Sequence, residues 1–143
     1  MYKALDVCKY IVFYSNEHNY TISNLRLQKI LFFVQLYFLK IRKQACFAED
    51  IEAWDFGPVV PEVYREYMKF GLGQIMDFRN PNVSFEIPLD QQIIDGVIDL
   101  LAPYTNTELV ALSIRHPVYE RAHGGTITLD KMNRWIKEKE TKK

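Results

Sequence analysis

Residues 25–41 read LRLQKILFFVQLYFLKI, and after a short connection residues 51–60 read IEAWDFGPVV. At about 100° per residue, a helix from Asn24 to about Arg42 puts Leu27, Ile30, Leu31, Val34, Tyr37, Phe38 and Ile41 on one broad arc. Leu25, Phe32, Leu36 and Leu39 fall on a second. Two polar stripes separate the arcs: Gln28, Gln35 and Arg42 recur every seventh residue on one side, and Arg26, Lys29 and Lys40 lie on the other. A helix apolar on two sides has to be covered on two sides. The expectation is a central helix wrapped by the rest of the chain. Gln35 and Lys40 interrupt the run short of the ~20 apolar residues that a membrane span needs, so it reads as core.

Working outward, Ile51–Phe56 alternates weakly and carries Trp54 and Phe56, which suits a short strand. Gly57-Pro58 reads as the turn that ends it. Pro61 fits the first position of a helix, where its missing N–H costs nothing, and Glu62 favours the dipole there. Val63, Tyr64, Tyr67, Met68 and Phe70 form the apolar face of that helix, and Gly71 its stop. Upstream, Lys3–Tyr14 has helical spacing, and Thr21 or Ser23 can cap the central helix. Residues 72–88 are irregular, broken by Gly73, Pro81 and Pro88. Ile75, Phe78, Val83, Phe85 and Ile87 are anchors along that stretch, which leaves room for a short strand. A helix resumes at 89–101, and another starts at Thr105 or Asn106 and is interrupted at His116-Pro117. A short helical turn covers Val118–Ala122. Ile127 reads as strand, and Thr128 caps a last helix bearing Met132, Trp135 and Ile136. Residues 137–143 form a charged tail expected to fray. No repeat or linker divides the chain. The expected architecture is one mainly α domain spanning residues 1–143, compact around a central buried helix, with a short β element.

Composition narrows the function. A chain of 143 residues with 48% hydrophobic and 14% aromatic residues can bury roughly 70% of its unfolded surface. Its 18 basic and 18 acidic residues cancel, which removes the bulk electrostatic case for nucleic acid. The basic stripes at Arg26, Lys29 and Lys40, and at Lys131, Arg134, Lys137 and Lys139, read as solvated faces. Ser23-Asn24-Leu25-Arg26 is only loosely like the start of a DNA-reading helix. Cys8 and Cys46 lack metal spacing and sit in apolar surroundings, as inert buried thiols do. No secretory signal opens the chain, so the expected location is cytoplasmic.

No pattern of reactive groups stands out. His18, His116 and His123 belong to no HExxH or Cys–His pair. There is no GxSxG elbow. Gly71-Leu72-Gly73 lacks the third glycine and the Lys-Ser/Thr of a phosphate loop. Asp95 and Asp99, four apart on one helix face, read as solvated. A hydrolase built on His116, Asp55 and Glu52 is the weakest reading the residues offer. The expectation is a binding protein with no cofactor, no metal and no catalytic residue.

The run Ile22-Ser23-Asn24-Leu25-Arg26-Leu27-Gln28-Lys29-Ile30-Leu31-Phe32-Phe33, followed by Glu52-Ala53-Trp54-Asp55-Phe56-Gly57-Pro58-Val59-Val60-Pro61-Glu62-Val63-Tyr64, resembles the Panacea antitoxin domain, also called SocA-like or GepA-like. That family carries an LxLQKLL helix and then an EAWxxGPVxPxVY segment. The resemblance extends from residue 4 to about residue 136. It departs after His116-Pro117, where the family has a Trp and this chain has Val118-Tyr119. The resemblance implies an antitoxin that neutralises a protein toxin encoded beside it by direct binding, and in some members delivery of the toxin to a protease such as ClpXP. It also implies frequent occurrence in prophages and no enzymatic activity.

Candidate partner-binding residues follow. Arg26, Gln28 and Lys29 qualify because polar stripes on a buried helix must meet something, although Gln28 can instead satisfy a neighbouring backbone group. Trp54, Tyr64, Tyr67, Phe78, Arg79, His116, Tyr119 and Arg121 are aromatic, Arg or His anchors, with residues 72–88 as a toxin-specific surface. Trp54, Gly57, Pro58 and Tyr64 can equally be fold determinants. The alternative function is a prophage-associated regulator or adaptor that binds a host protein or DNA.

Overall fold

Ser23 opens the central helix: its hydroxyl accepts from the Arg26 N–H, and the helix α2 then runs Asn24–Ile41. The structure, a computed structural model, describes residues 1–141. In chain order the elements are α1 (Ala4–Glu17), α2, β1 (Ile51–Trp54), β2 (Gly57–Val59), α3 (Pro61–Tyr67), α4 (Pro88–Leu101), α5 (Asn106–Ile114), α6 (Pro117–Arg121), β3 (Thr126–Ile127) and α7 (Leu129–Thr141). The fold is mainly α with a small antiparallel sheet in the order β2-β1-β3. Helices α1, α3, α4, α5 and α7 and strand β2 all pack on α2.

The polar groups of α2 organise this packing. Gln35 is buried; its Oε1 accepts from the N–H groups of Cys46 (2.8 Å) and Phe47 (3.3 Å), and its Nε2 donates to the Phe47 carbonyl (2.8 Å). One turned side chain thus satisfies the backbone of the loop that crosses beneath it. Gln28 accepts from Val60 N–H and donates to Asn24, whose own amide reaches the Tyr64 carbonyl. Arg42 pairs with the buried carboxylate of Asp90 at 2.8 Å. Arg26 donates to the carbonyls of Leu101 and Tyr104 and to the Asn106 side chain, so a guanidinium closes the end of α4 where the last carbonyls have no helical partner. A third kind of tie joins α1 and the residues flanking it to α4: Tyr2 donates to Asp90, Tyr10 to Asp95, and both Tyr14 and Tyr20 to Asp99.

Several expectations change. Gly57-Pro58 is not the turn. The hairpin turns at Asp55-Phe56, Trp54 pairs with Gly57, and Gly57 and Pro58 belong to β2. Proline is tolerated there because β2 is an edge strand. Arg26 and Lys29 are buried rather than solvated, because the segments packed on α2 supply carbonyl acceptors. Asp99 is exposed, as expected, and Asp95 is half-buried, but both accept from tyrosine hydroxyls. Met68 leaves the apolar face, since α3 ends at Tyr67 and the chain continues as a 3-10 turn over Met68–Phe70. Ile75 is buried, but Phe78 is exposed and no strand forms between residues 71 and 87. The last helix continues through Thr141 rather than fraying from residue 137; Lys142 and Lys143 lie outside the described residues. The cap is Ser23 and not Thr21, and Thr105 forms a capping box with Glu108. Cys8 and Cys46 are buried free thiols, pushed up by that burial.

Gln35→Ala leaves two buried N–H donors and a carbonyl without partners. It is expected to lower unfolding free energy by about 3 kcal/mol, read as a reduced midpoint in urea with an unchanged denaturant slope.

Candidate functional site

The segment between α2 and α3 brings most of the aromatic candidates together. The two-residue turn lifts Phe56 to the tip of the hairpin, where it remains 36% exposed. Trp54 meets Phe56 edge-on at 5.9 Å between ring centres, and Tyr64, one turn into α3, meets Trp54 edge-on at 5.3 Å and lies 6.1 Å from Phe56. The Trp54 indole N–H donates to Glu52. Tyr119, on α6, donates its hydroxyl to the Trp54 carbonyl, so the hairpin is pinned to a helix 65 positions further along the chain. Burial pushes the Tyr119 hydroxyl above its ordinary value, with Asp55 adding to the effect. The rings of Trp54, Phe56 and Tyr64 form one half-exposed aromatic face, with Tyr119 tied to its backbone from α6.

Beneath that face lies Lys29, fully buried. Its ammonium donates to the Pro58 carbonyl at 3.2 Å and sits 5.1 Å from the centre of the Phe56 ring. Among the described residues no carboxylate pairs with it. Burial pushes its amine down to about 7. Gly57 is what lets the hairpin close over this side chain. At its φ of +117° a side chain is strained, and a Cβ there would stand 2.9 Å from both Lys29 Cε and Ser113 Oγ.

The remaining candidates scatter. Gln28 and Arg26 hold backbone inside the protein, as above, and Tyr67 is buried against Phe70. These three and Lys29 are buried. Phe78 and Arg79 lie on the irregular segment after Gly71, with Phe78 61% exposed. Arg79 already directs two N–H groups at Asp77 (2.9 and 2.7 Å), whose carboxyl it holds down at about 2. Arg121 is exposed and pairs with Glu138 at 3.0 Å.

His116 caps α6, its Nδ1 accepting from Val118 N–H. It packs edge-on against Phe32 and lies 4.5 Å from the Trp135 ring. An indole does sit beside this histidine, although no Trp follows Pro117; it comes from α7. Burial pushes the imidazole down to about 4, so the ring is neutral packing material at pH 7. No contact among the described residues joins it to Asp55, Glu52 or His123, and no group of three or more His, Cys, Asp or Glu is arranged to hold a metal. Among the described residues no helix is long and apolar enough to cross a membrane. Phe56 was missed as a surface residue in the sequence reading; the signal available was its place within the EAWDFGP signature.

Two outcomes follow. Gly57→Ala is expected to cost about 2–4 kcal/mol from backbone strain and overlap, seen as a lowered Tm. For Lys29, the unfolded chain binds one more proton than the folded chain between about pH 7 and the ordinary value of 10.5. Stability therefore gains with rising pH across that window, by up to about 1.4 kcal/mol per unit, and the burial penalty is full below it. Lys29→Met should remove that slope. The variant should be stabilised relative to the parent at pH 6 and lose this advantage by pH 10, as read from urea titrations at each pH.

Compared with known proteins, residues 27–118 match the family model described as "Antitoxin SocA-like, Panacea domain". The chain is similar to Antitoxin SocA of Caulobacter vibrioides (strain NA1000 / CB15N), with 33% identity over 102 residues, covering 64% of this chain and 54% of the relative. It thus spans about half the length of that curated relative. No solved structure matches. The matched residues take in most of α2, the hairpin with its aromatic face, α3, α4, α5 and His116-Pro117: the chain belongs to the SocA-like, Panacea domain antitoxin family.

Proposed function

We propose that this protein is an antitoxin that binds a cognate protein toxin directly and neutralises it by covering the toxin's active site or substrate groove. The observation that carries the reading is the family match over residues 27–118, which contains the hairpin and its aromatic face. The chemistry of that face suits the role. Trp54, Phe56 and Tyr64 are large rings already held by edge-on packing, and the Trp54 indole and carbonyl are held by hydrogen bonds to Glu52 and from Tyr119. Rigid aromatic anchors lose little side-chain freedom when a partner covers them. The second contact region is the stretch that follows α3, where Leu72 is 95% exposed beside exposed Met68, Met76 and Phe78. Apolar side chains gathered on one irregular segment mark interaction surfaces more often than isolated ones do.

The toxin is expected to be the product of the neighbouring gene. Co-expression should restore growth and the two chains should co-purify; failure of both outcomes would sink the reading. Toxin level separates the modes: unchanged toxin with restored growth means occlusion, whereas falling toxin means delivery to a protease such as ClpXP. Phe78→Asp, on an exposed side chain that the fold does not need, should weaken the complex about tenfold, measured by calorimetry, with Tm unaltered.

A further inference from the structure

One flank of α2 lacks a helical neighbour. Phe33 and Tyr37 are half-buried and Ile41 is 49% exposed. Spaced four apart, they make a single ridge about 12 Å long at 1.5 Å per residue. On one side, α4 lines a cleft of about 380 Å³ that includes Tyr37 and Ile41, with Leu100 52% exposed at its edge. On the other, Trp135 and Ile136 of α7, with His116, enclose a cavity of about 150 Å³ against Phe33 and Tyr37. The two spaces meet at Tyr37. The ridge is the floor of a trough with α4 as one wall and α7 as the other, which is where ridge-into-groove packing would seat one more helix.

The polar groups around the trough say what that helix must carry. Lys40 lines the smaller cavity, and Arg115 lines the adjoining cleft beside His116. Lys139 holds its ammonium 5.8 Å from the centre of the Trp135 ring. Lys40 and Arg115 have no ion pair among the described residues. Glu108, the one acid among the residues lining these three spaces, is occupied by the capping box at the start of α5. The indole N–H of Trp135 is buried with no acceptor. The flank therefore offers an apolar floor and unpaired cations.

We infer that this trough docks an acidic amphipathic helix of another protein, apolar at i, i+3 or i+4 and i+7 along one face and carrying carboxylates on its flanks. The apolar face covers Phe33, Tyr37 and Ile41. The carboxylates meet Lys40, Arg115 and Lys139. The assignment goes beyond the antitoxin reading and holds whichever protein supplies the helix.

The test uses the full chain and a displayed library of helical peptides of about 15 residues, long enough to hold a helix. Selection should enrich net-acidic peptides with the stated apolar spacing. Ile41→Asp and Leu100→Asp, both on side chains already half in solvent, should each weaken the best peptide about tenfold or more without lowering Tm. Lys40→Glu should do the same and be rescued by a peptide whose acids are changed to lysine. Phe78→Asp should change nothing. Enrichment of basic or neutral peptides, binding that survives both apolar-to-Asp changes, or no enrichment at all overturns the assignment. So does a self-associating chain whose dimer is abolished by Ile41→Asp, since the trough then belongs to a second copy. No toxin takes part, so failure of neutralisation and failure of the trough remain separate results.

Discussion

The structure depends on hydrogen bonds from the two polar stripes of a buried helix to chain that is not helical. α2 is apolar on most of its circumference and must be covered, but part of its cover is loop, strand end and helix terminus. Such backbone cannot be buried with its N–H and C=O groups unpaired. Gln28, Gln35, Arg26 and Lys29 meet that requirement from inside: Gln28 and Lys29 hold the segment at residues 58–60, Gln35 the loop at Cys46-Phe47, and Arg26 the end of α4. Each bond, once made, adds only about 1 kcal/mol, while each one lost leaves an orphan costing about 1–3 kcal/mol. These side chains therefore act more by excluding other packings than by adding stability.

This arrangement explains what the sequence made legible. Local chemistry announced itself locally. Ser23 before the apolar run, Thr105 with Glu108 three residues on, and Pro61 and Pro117 at helix starts all stand where the residue types predict. The two-sided apolarity of α2 identified the centre of the fold. What stayed hidden depended on distant partners. Nothing near Arg26 or Lys29 in sequence says that they are buried, because their acceptors arrive from residues 58 and 101–106. The hairpin turn was misplaced because Gly57 looks like a turn residue; its positive φ is needed where the strand passes over Lys29. The tyrosine partners of Asp95 and Asp99 stayed hidden because they lie about 80 or more positions earlier. The site was legible to the same degree. The signature pointed to Trp54 and Tyr64, Tyr119 was already a candidate, and the fold added Phe56.

The aromatic face and the lysine beneath it belong together. Burying a lone ammonium is unfavourable, and removing it in favour of an apolar side chain is often neutral or stabilising. Its position is nonetheless consistent with a structural task, since its hydrogen bond goes to β2, the strand that follows the turn, and its ammonium lies under the Phe56 ring. With Tyr119 holding the Trp54 carbonyl from the other side, the hairpin is gripped at both strands. A short two-residue turn, which would otherwise be among the more mobile parts of a small sheet, is thereby given a fixed shape.

Arg42 grips Asp90 at one end of α4, and Arg26 grips the carbonyls at the other. The two helices lie antiparallel, and the clamps are spaced by most of their common length. Sliding one rod along its neighbour by a single helical pitch, about 5.4 Å, would break both clamps together and strand a buried carboxylate and a buried guanidinium at once. Ratcheting motions of the kind that let packed helices switch between registers are therefore closed to this pair.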